Sequence, residues 1–171
     1  MSGSRKLVSG FAAVSVAALA LVAVPLAPAQ AATPQCTNAN LHATFHHTDS
    51  GAGHRFGRLV LTNVSNHACH TGGYGGLSYV GHGNGTQIGA AATRDAGTVR
   101  TLVLSPGQRV VSEVSETVAS NFSASTCHPT AVDGFRVYVP NATRSQFIAH
   151  RTTGCANASV HLIAHKPFRR P

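Results

Sequence analysis

From residue 41 onward, apolar residues recur at every second position in short runs. In the run 41–47, Leu41, Ala43 and Phe45 fall on one side, and His42, Thr44 and His46 on the other. A period of two belongs to a β-strand with one buried face. The run 58–64 repeats it with Leu59 and Leu61, and the run 134–140 with Phe135, Val137 and Val139. In 109–118, Val110, Ser112, Val114 and Glu116 alternate against Val111, Glu113, Ser115 and Thr117. Shorter strand-like runs lie at 77–81, 98–104, 145–150 and 159–165, and Ser105-Pro106-Gly107 is a strong turn signal after one of them. A short helix fits only within 117–126. About eight short strands at regular spacing predict an all-β chain, an antiparallel β-sandwich that is immunoglobulin-like in the broad sense. The Cys-Trp-Cys hallmark of antibody domains is missing, because the chain has no tryptophan.

The first 31 residues read differently. Arg5 and Lys6 precede the apolar run LVSGFAAVSVAALALVAVPLAPAQAA, which ends in Ala29-Gln30-Ala31. A basic start, an apolar stretch and an Ala-x-Ala end define a secretory signal peptide, expected to be cut after Ala31. The run is about long enough to span a bilayer, but Pro25 and Pro28 interrupt it and a cleavage signal closes it. A lipid anchor does not fit, since Thr33-Pro34-Gln35 precedes Cys36. We therefore expect a secreted protein without a transmembrane anchor: residues 1–31 as leader, 32–165 as one sandwich domain, and 166–171 as a basic tail.

Export changes the reading of the cysteines. There are four, Cys36, Cys69, Cys127 and Cys155, and an even count in an exported chain implies disulfides. Three pairings are possible. We favour Cys36–Cys69 and Cys127–Cys155, each closing a loop of about 30 residues and adding about 3 kcal/mol in the chain-entropy model. A zinc site would show close pairs such as Cys-x-x-Cys, which this spacing lacks.

The chain carries 13 Lys and Arg against 5 Asp and Glu, a net charge of +8 with histidines neutral. Positive balance favours acidic partners, here anionic cell-wall or envelope polymers. The arginines are scattered, the one cluster being Lys166-Pro167-Phe168-Arg169-Arg170-Pro171, and no aromatic interleaving suggests a nucleic-acid platform. Nucleic acid is not an expected partner.

Candidate chemistry is sparse. The stretch HACHTGGYGGLSYVGHGNG (67–85) is rich in glycine and histidine. A phosphate loop would need a helix after it, whereas Leu77-Ser78-Tyr79-Val80 is strand-like. The stretch reads better as a cysteine-anchored turn, with Tyr74 crossing the sheet edge and Asn84-Gly85 at a hairpin tip. Its exposed glycines and His82 are a place for a binding surface. Histidines are numerous, eleven in all. His42 and His46 share one strand face, as do His161 and His165, yet residues i and i+4 in a strand stand about 13 Å apart. A metal site would need the first and last strands to pair, bringing His42 or His46 to His161 or His165. Zinc or copper on these four is thus an alternative reading, although no cofactor is expected. A hydrolase with an unrecognised Ser/His/Asp site is a third; no Gly-x-Ser-x-Gly elbow is present, and Glu113 and Glu116 lie on opposite strand faces. Five Asn-x-Ser/Thr sequons begin at Asn63, Asn84, Asn121, Asn141 and Asn157.

The order of the pieces resembles a known family. Cys36, then RLVLTNVSNHAC, Gly73-Tyr74, LSYVG, LVLSPGQRV, Cys127, FRVYVP, Cys155 and SVHLIAH follow the pattern of the secreted actinobacterial family called domain of unknown function 4232. The resemblance spans roughly 36–164. It implies an exported β-sandwich with two sequential disulfides and implies no activity. Members commonly carry proline after the Gly-Tyr pair, where this chain has Gly75. The sequence thus predicts a secreted, non-catalytic binding or envelope-associated module.

Overall fold

The structure, a computed structural model, describes Gly3 and residues 32–171. The expected leader lies outside the described residues, Gly3 apart. Residues 32–171 form one compact unit.

Alternation becomes a sandwich. One sheet of five strands has the order β1 (Leu41–Gly51), β2 (His54–Asn63), β8 (Arg109–Thr117), β11 (Ile163–His165) and β6 (Thr93–Arg94). The second sheet has β10 (Ser145–Cys155), β9 (Pro129–Tyr138), β4 (Gly76–Gly81) and β5 (Thr86–Ile88). A two-stranded ribbon joins β3 (Cys69–Gly72) to β7 (Thr101–Leu104). All pairings are antiparallel except the short β11–β6 contact. The positions assigned inward by period two are inside: Leu41, Leu59, Leu61, Val110, Val114, Phe135, Val137 and Val139 are all buried. Phe45, the third inward residue of β1, is partly buried and packs on Phe135 at 4.9 Å between ring centroids.

Eleven strands are present among the described residues, rather than about eight. The additions, β3, β5 and β6, are two to four residues long. So few residues cannot display a period, and β3 and β5 flank glycine-rich turns. The expected short helix resolves into a 3-10 turn (Ala119–Asn121) and a single helical turn α1 (Ala124–Cys127) capped by the Ser123 hydroxyl.

The disulfides are Cys36–Cys69 and Cys127–Cys155. The first ties the segment before β1 to β3, and the second ties α1 to the end of β10. All four cysteines are buried, so both bridges belong to the core.

Two turn expectations change. The hairpin between β4 and β5 is not a two-residue Asn-Gly turn. Gly81 pairs with Thr86, leaving a four-residue loop in which His82, Gly83 and Gly85 have positive φ. The Asn84 carboxamide oxygen accepts from the Thr86 amide and hydroxyl, closing the loop from inside. Gly75 has a reason of its own: a Cβ there would stand 2.5 Å from the Tyr138 carbonyl oxygen. The backbone of β9 comes too close for a side chain.

The largest departure concerns residues 166–171. They are not a loose basic tail. Phe168 is 1% exposed and part of the core. The Lys166 amide donates to Glu113 O, the Phe168 amide to Gly73 O, and Arg169 exchanges both backbone bonds with Val111. The segment thus prolongs β11 along β8, and its charged side chains flank an apolar anchor.

Candidate functional site: a sealed carboxylate and a cationic groove

Polar chemistry collects in two places, one inside the sandwich and one on its surface. The inner one is built around Glu116. Period two in β8 places Glu116 on the same face as Val110 and Val114, and that face is the core; its side chain is 1% exposed. Three elements supply partners. Tyr79 of β4 donates its phenol to Glu116 Oε2. His150 of β10 reaches the same oxygen from Nε2 at 2.9 Å. Arg55, the cross-strand neighbour of Glu116 in β2, holds Nη2 at 3.9 Å. A β-bulge opposite Asp133 adds one residue to β10 between Ala149 and Thr152, and His150 sits in it. His150 stacks on Phe135 at 4.5 Å and 13°, and Phe135 stacks on Tyr79 at 5.4 Å.

The electrostatics follow from this packing. Burial, the largest influence, works to raise the pKa of Glu116. The hydrogen bonds from His150 and Tyr79, with the attraction of His150 and Arg55, outweigh it and hold the carboxyl below its usual value. Burial first, then the charge and hydrogen bond of Glu116, push the Tyr79 phenol far up, so it stays a donor. Since an ionised carboxylate only accepts, the Nε2 facing it carries a proton. Oε1 of Glu116 is buried without a hydrogen-bond partner in the protein. The carboxylate thus bridges the two sheets from a place with almost no solvent contact.

The histidines considered for a metal are not brought together. β1 and β11 do not pair; β2 and β8 lie between them, a separation of about 14 Å at the usual strand spacing. His42 and His46 are exposed on β1, His161 is exposed ahead of β11, and His165 is buried. No group of three or more His, Cys, Asp or Glu suited to a metal ion occurs among the described residues. His165 instead packs edge-on against Tyr74 at 5.5 Å. Burial first, then the charge of Arg94, hold its pKa below the usual imidazole value. Ser112 Oγ lies 3.3 Å from His165 Nδ1, but both residues are buried and the hydroxyl donates to Lys166 O at 2.5 Å. The sequon residue Asn63 is also buried, its amide donating to His67 O and Leu104 O at 2.9 Å.

The outer site is a groove of about 440 Å³. Thr98, Arg100 and Leu102 stand at alternate positions and form one wall. Lys166 to Arg170 form the other. Pro167 packs under Gly97, where an added Cβ would meet Pro167 Cδ at 2.6 Å. Leu102 and the edge of Pro167 give the groove its apolar surface, over the buried Phe168, and Arg100, Lys166, Arg169 and Arg170 its charge. Glu113 is shared by Lys166 Nζ at 3.1 Å and Arg169 Nη2 at 2.6 Å. Arg170 donates only to neutral acceptors, Val103 O at 2.6 Å and Gln108 Oε1 at 3.2 Å. Sequence reading noted the terminal cluster but not this groove. Arg100 lies 66 positions before Lys166, and no local pattern joins them.

The glycine-rich hairpin contributes to a separate hollow of about 530 Å³, where Gly83 and Gly85 meet Asp133, Phe147 and Arg151. Its charges are of both signs, and His82 does not line it.

Fold and bridges define a disulfide-closed β-sandwich with a sealed polar core cluster. The chain matches the model of the family described as "Domain of unknown function (DUF4232)" over residues 36–168, and it belongs to that family. Comparison with curated proteins returns no match, and comparison with solved structures returns none. No helix among the described residues is long and apolar enough to cross a membrane.

Proposed function

We propose that the protein is exported and acts as a non-catalytic binding module for an anionic partner at the cell envelope. The observation that carries this reading is the groove between 97–102 and 166–170, where four cationic side chains face one carboxylate. Uncompensated cations gathered on a concave surface attract anions and raise their local concentration. The leader-type N-terminus and the two bridges support export, since disulfides persist in oxidising compartments. The burial of Glu116 supports a structural rather than chemical role for the most polar cluster: a group almost without solvent contact cannot meet a substrate.

The test is retention of the purified protein on isolated, anionic cell-wall material across a salt series. Retention should fall steeply with ionic strength, because exposed charges are screened beyond about 8–10 Å at 0.1–0.15 M salt. Arg100→Glu should weaken it further at low salt. Retention indifferent to salt, or no retention at any salt, overturns the reading.

A further inference from the structure

We infer that the same groove is a binding site for a single-chain anionic amphiphile, with a phosphate or carboxylate head at Arg100 and Arg170 and an apolar chain along Leu102 and the edge of Pro167. The inference rests on the proposed anion-binding reading and adds the class of ligand.

The two walls differ in origin but agree in character. Arg100 immediately precedes β7 and Leu102 lies within it, and both line the groove, so a cation and an aliphatic side chain share one wall. On the opposite wall Phe168 turns into the core and anchors the segment, which leaves the edge of Pro167 beside Lys166, Arg169 and Arg170 along the groove. A hydrated polyanion would gain nothing from Leu102 and Pro167. A neutral apolar ligand would gain nothing from four cations. A ligand that is charged at one end and apolar at the other uses both.

Charge bookkeeping points to where the head sits. Lys166 and Arg169 are engaged by Glu113, whose carboxyl is held below its usual pKa by the hydrogen bonds from Arg169 and then Lys166. Among the described residues no carboxylate pairs with Arg100 or Arg170. Arg170 already holds its guanidinium in place through Val103 O and Gln108 Oε1, so an oxyanion meets an oriented donor. The volume, about 440 Å³, lies within the usual range of about 300–1,000 Å³ for small-ligand sites.

The experiment is calorimetric titration of the purified protein with inorganic phosphate and with ethyl, butyl and hexyl phosphate. Hexanoate, octyl glucoside and polyglutamate complete the panel, all amphiphiles kept monomeric. Binding should tighten along the phosphate series by about fourfold for each methylene the groove receives. Hexanoate should bind and octyl glucoside should not. Arg100→Gln should weaken hexyl phosphate at least tenfold, and Leu102→Ser should flatten the chain-length series while leaving inorganic phosphate unchanged. Equal affinity along the series, or polyglutamate binding more tightly than hexyl phosphate, overturns the amphiphile and leaves the anion-binding module standing. If neither phosphates nor polyglutamate bind, both fall.

Discussion

His150 Nε2 lies 2.9 Å from Glu116 Oε2, and the two residues belong to opposite sheets. With the Tyr79 phenol on the same oxygen, this contact is a polar bridge through an otherwise apolar core. Removing its centre should be costly. Glu116→Ala leaves the buried Tyr79 phenol and the partly buried His150 N–H and Arg55 guanidinium without their acceptor, and stability should fall by about 3–5 kcal/mol in urea unfolding. Tyr79→Phe removes one donor only and should cost about 1–3 kcal/mol. Glu113→Gln, an exposed pair on the other face of β8, should cost no more than about 1 kcal/mol. Equal losses for Glu116→Ala and Glu113→Gln would refute the bridge.

The same carboxylate makes acid unfavourable. Its folded pKa is depressed, so the unfolded chain takes up the proton more readily. The stabilisation is present above the unfolded carboxyl value of about 4.3 and is lost as pH falls from there through the folded value. His165 adds a loss at higher pH. Its folded pKa is also depressed, so its contribution is complete above about 6.5 and declines as pH falls below that. Melting temperatures recorded from pH 8 to pH 3 should therefore fall in two stages. Glu116→Gln should shrink the lower stage and leave the upper one, the remainder of the lower stage coming from the exposed Glu113, whose pKa is also depressed, and a wild-type curve that stays flat between pH 6.5 and 3 contradicts both assignments.

Phe168 tests whether the C-terminal segment belongs to the body of the domain. Its side chain is 1% exposed. Phe168→Ala should cost about 3–5 kcal/mol. Phe147→Ala, at a side chain 61% exposed, should cost about 0.5 kcal/mol or less. A cost below about 1 kcal/mol for Phe168→Ala would restore the picture of a dispensable tail.

Each disulfide closes a loop of similar length, with sequence separations of 33 and 28. Paired replacement by serine, Cys36→Ser with Cys69→Ser or Cys127→Ser with Cys155→Ser, should cost about 3 kcal/mol in either case. Unreduced mass spectrometry of peptide fragments should show the two linked pairs; a Cys36–Cys127 fragment would overturn the pairing.

Much of this was open to reading in the chain. Alternation assigned Glu116 to the face of Val110 and Val114 before any contact was known, and cysteine number and spacing led to the correct bridges. What alternation could not supply were the partners. Tyr79 and His150 come from β4 and β10, strands of the other sheet that only the tertiary structure lays over β8. His150 looked solitary because its partners Phe135, Glu116 and Tyr79 are 15, 34 and 71 positions away. The strand pairing that the metal reading required is absent for the same reason. It depended on which strand lies beside β11, and that strand is β8 rather than β1.

The sequence by itself determined the class of fold, the inward faces of β1, β2, β8 and β9 and the means of closing the chain covalently. These depend on residues two apart, or on a count of cysteines, and so on local geometry. Only the tertiary structure decided the order of strands, the docking of Phe168 and the groove that Arg100 and Arg170 both line. Those depend on which apolar faces can be buried together at once, a condition on the whole chain that no single stretch of residues expresses.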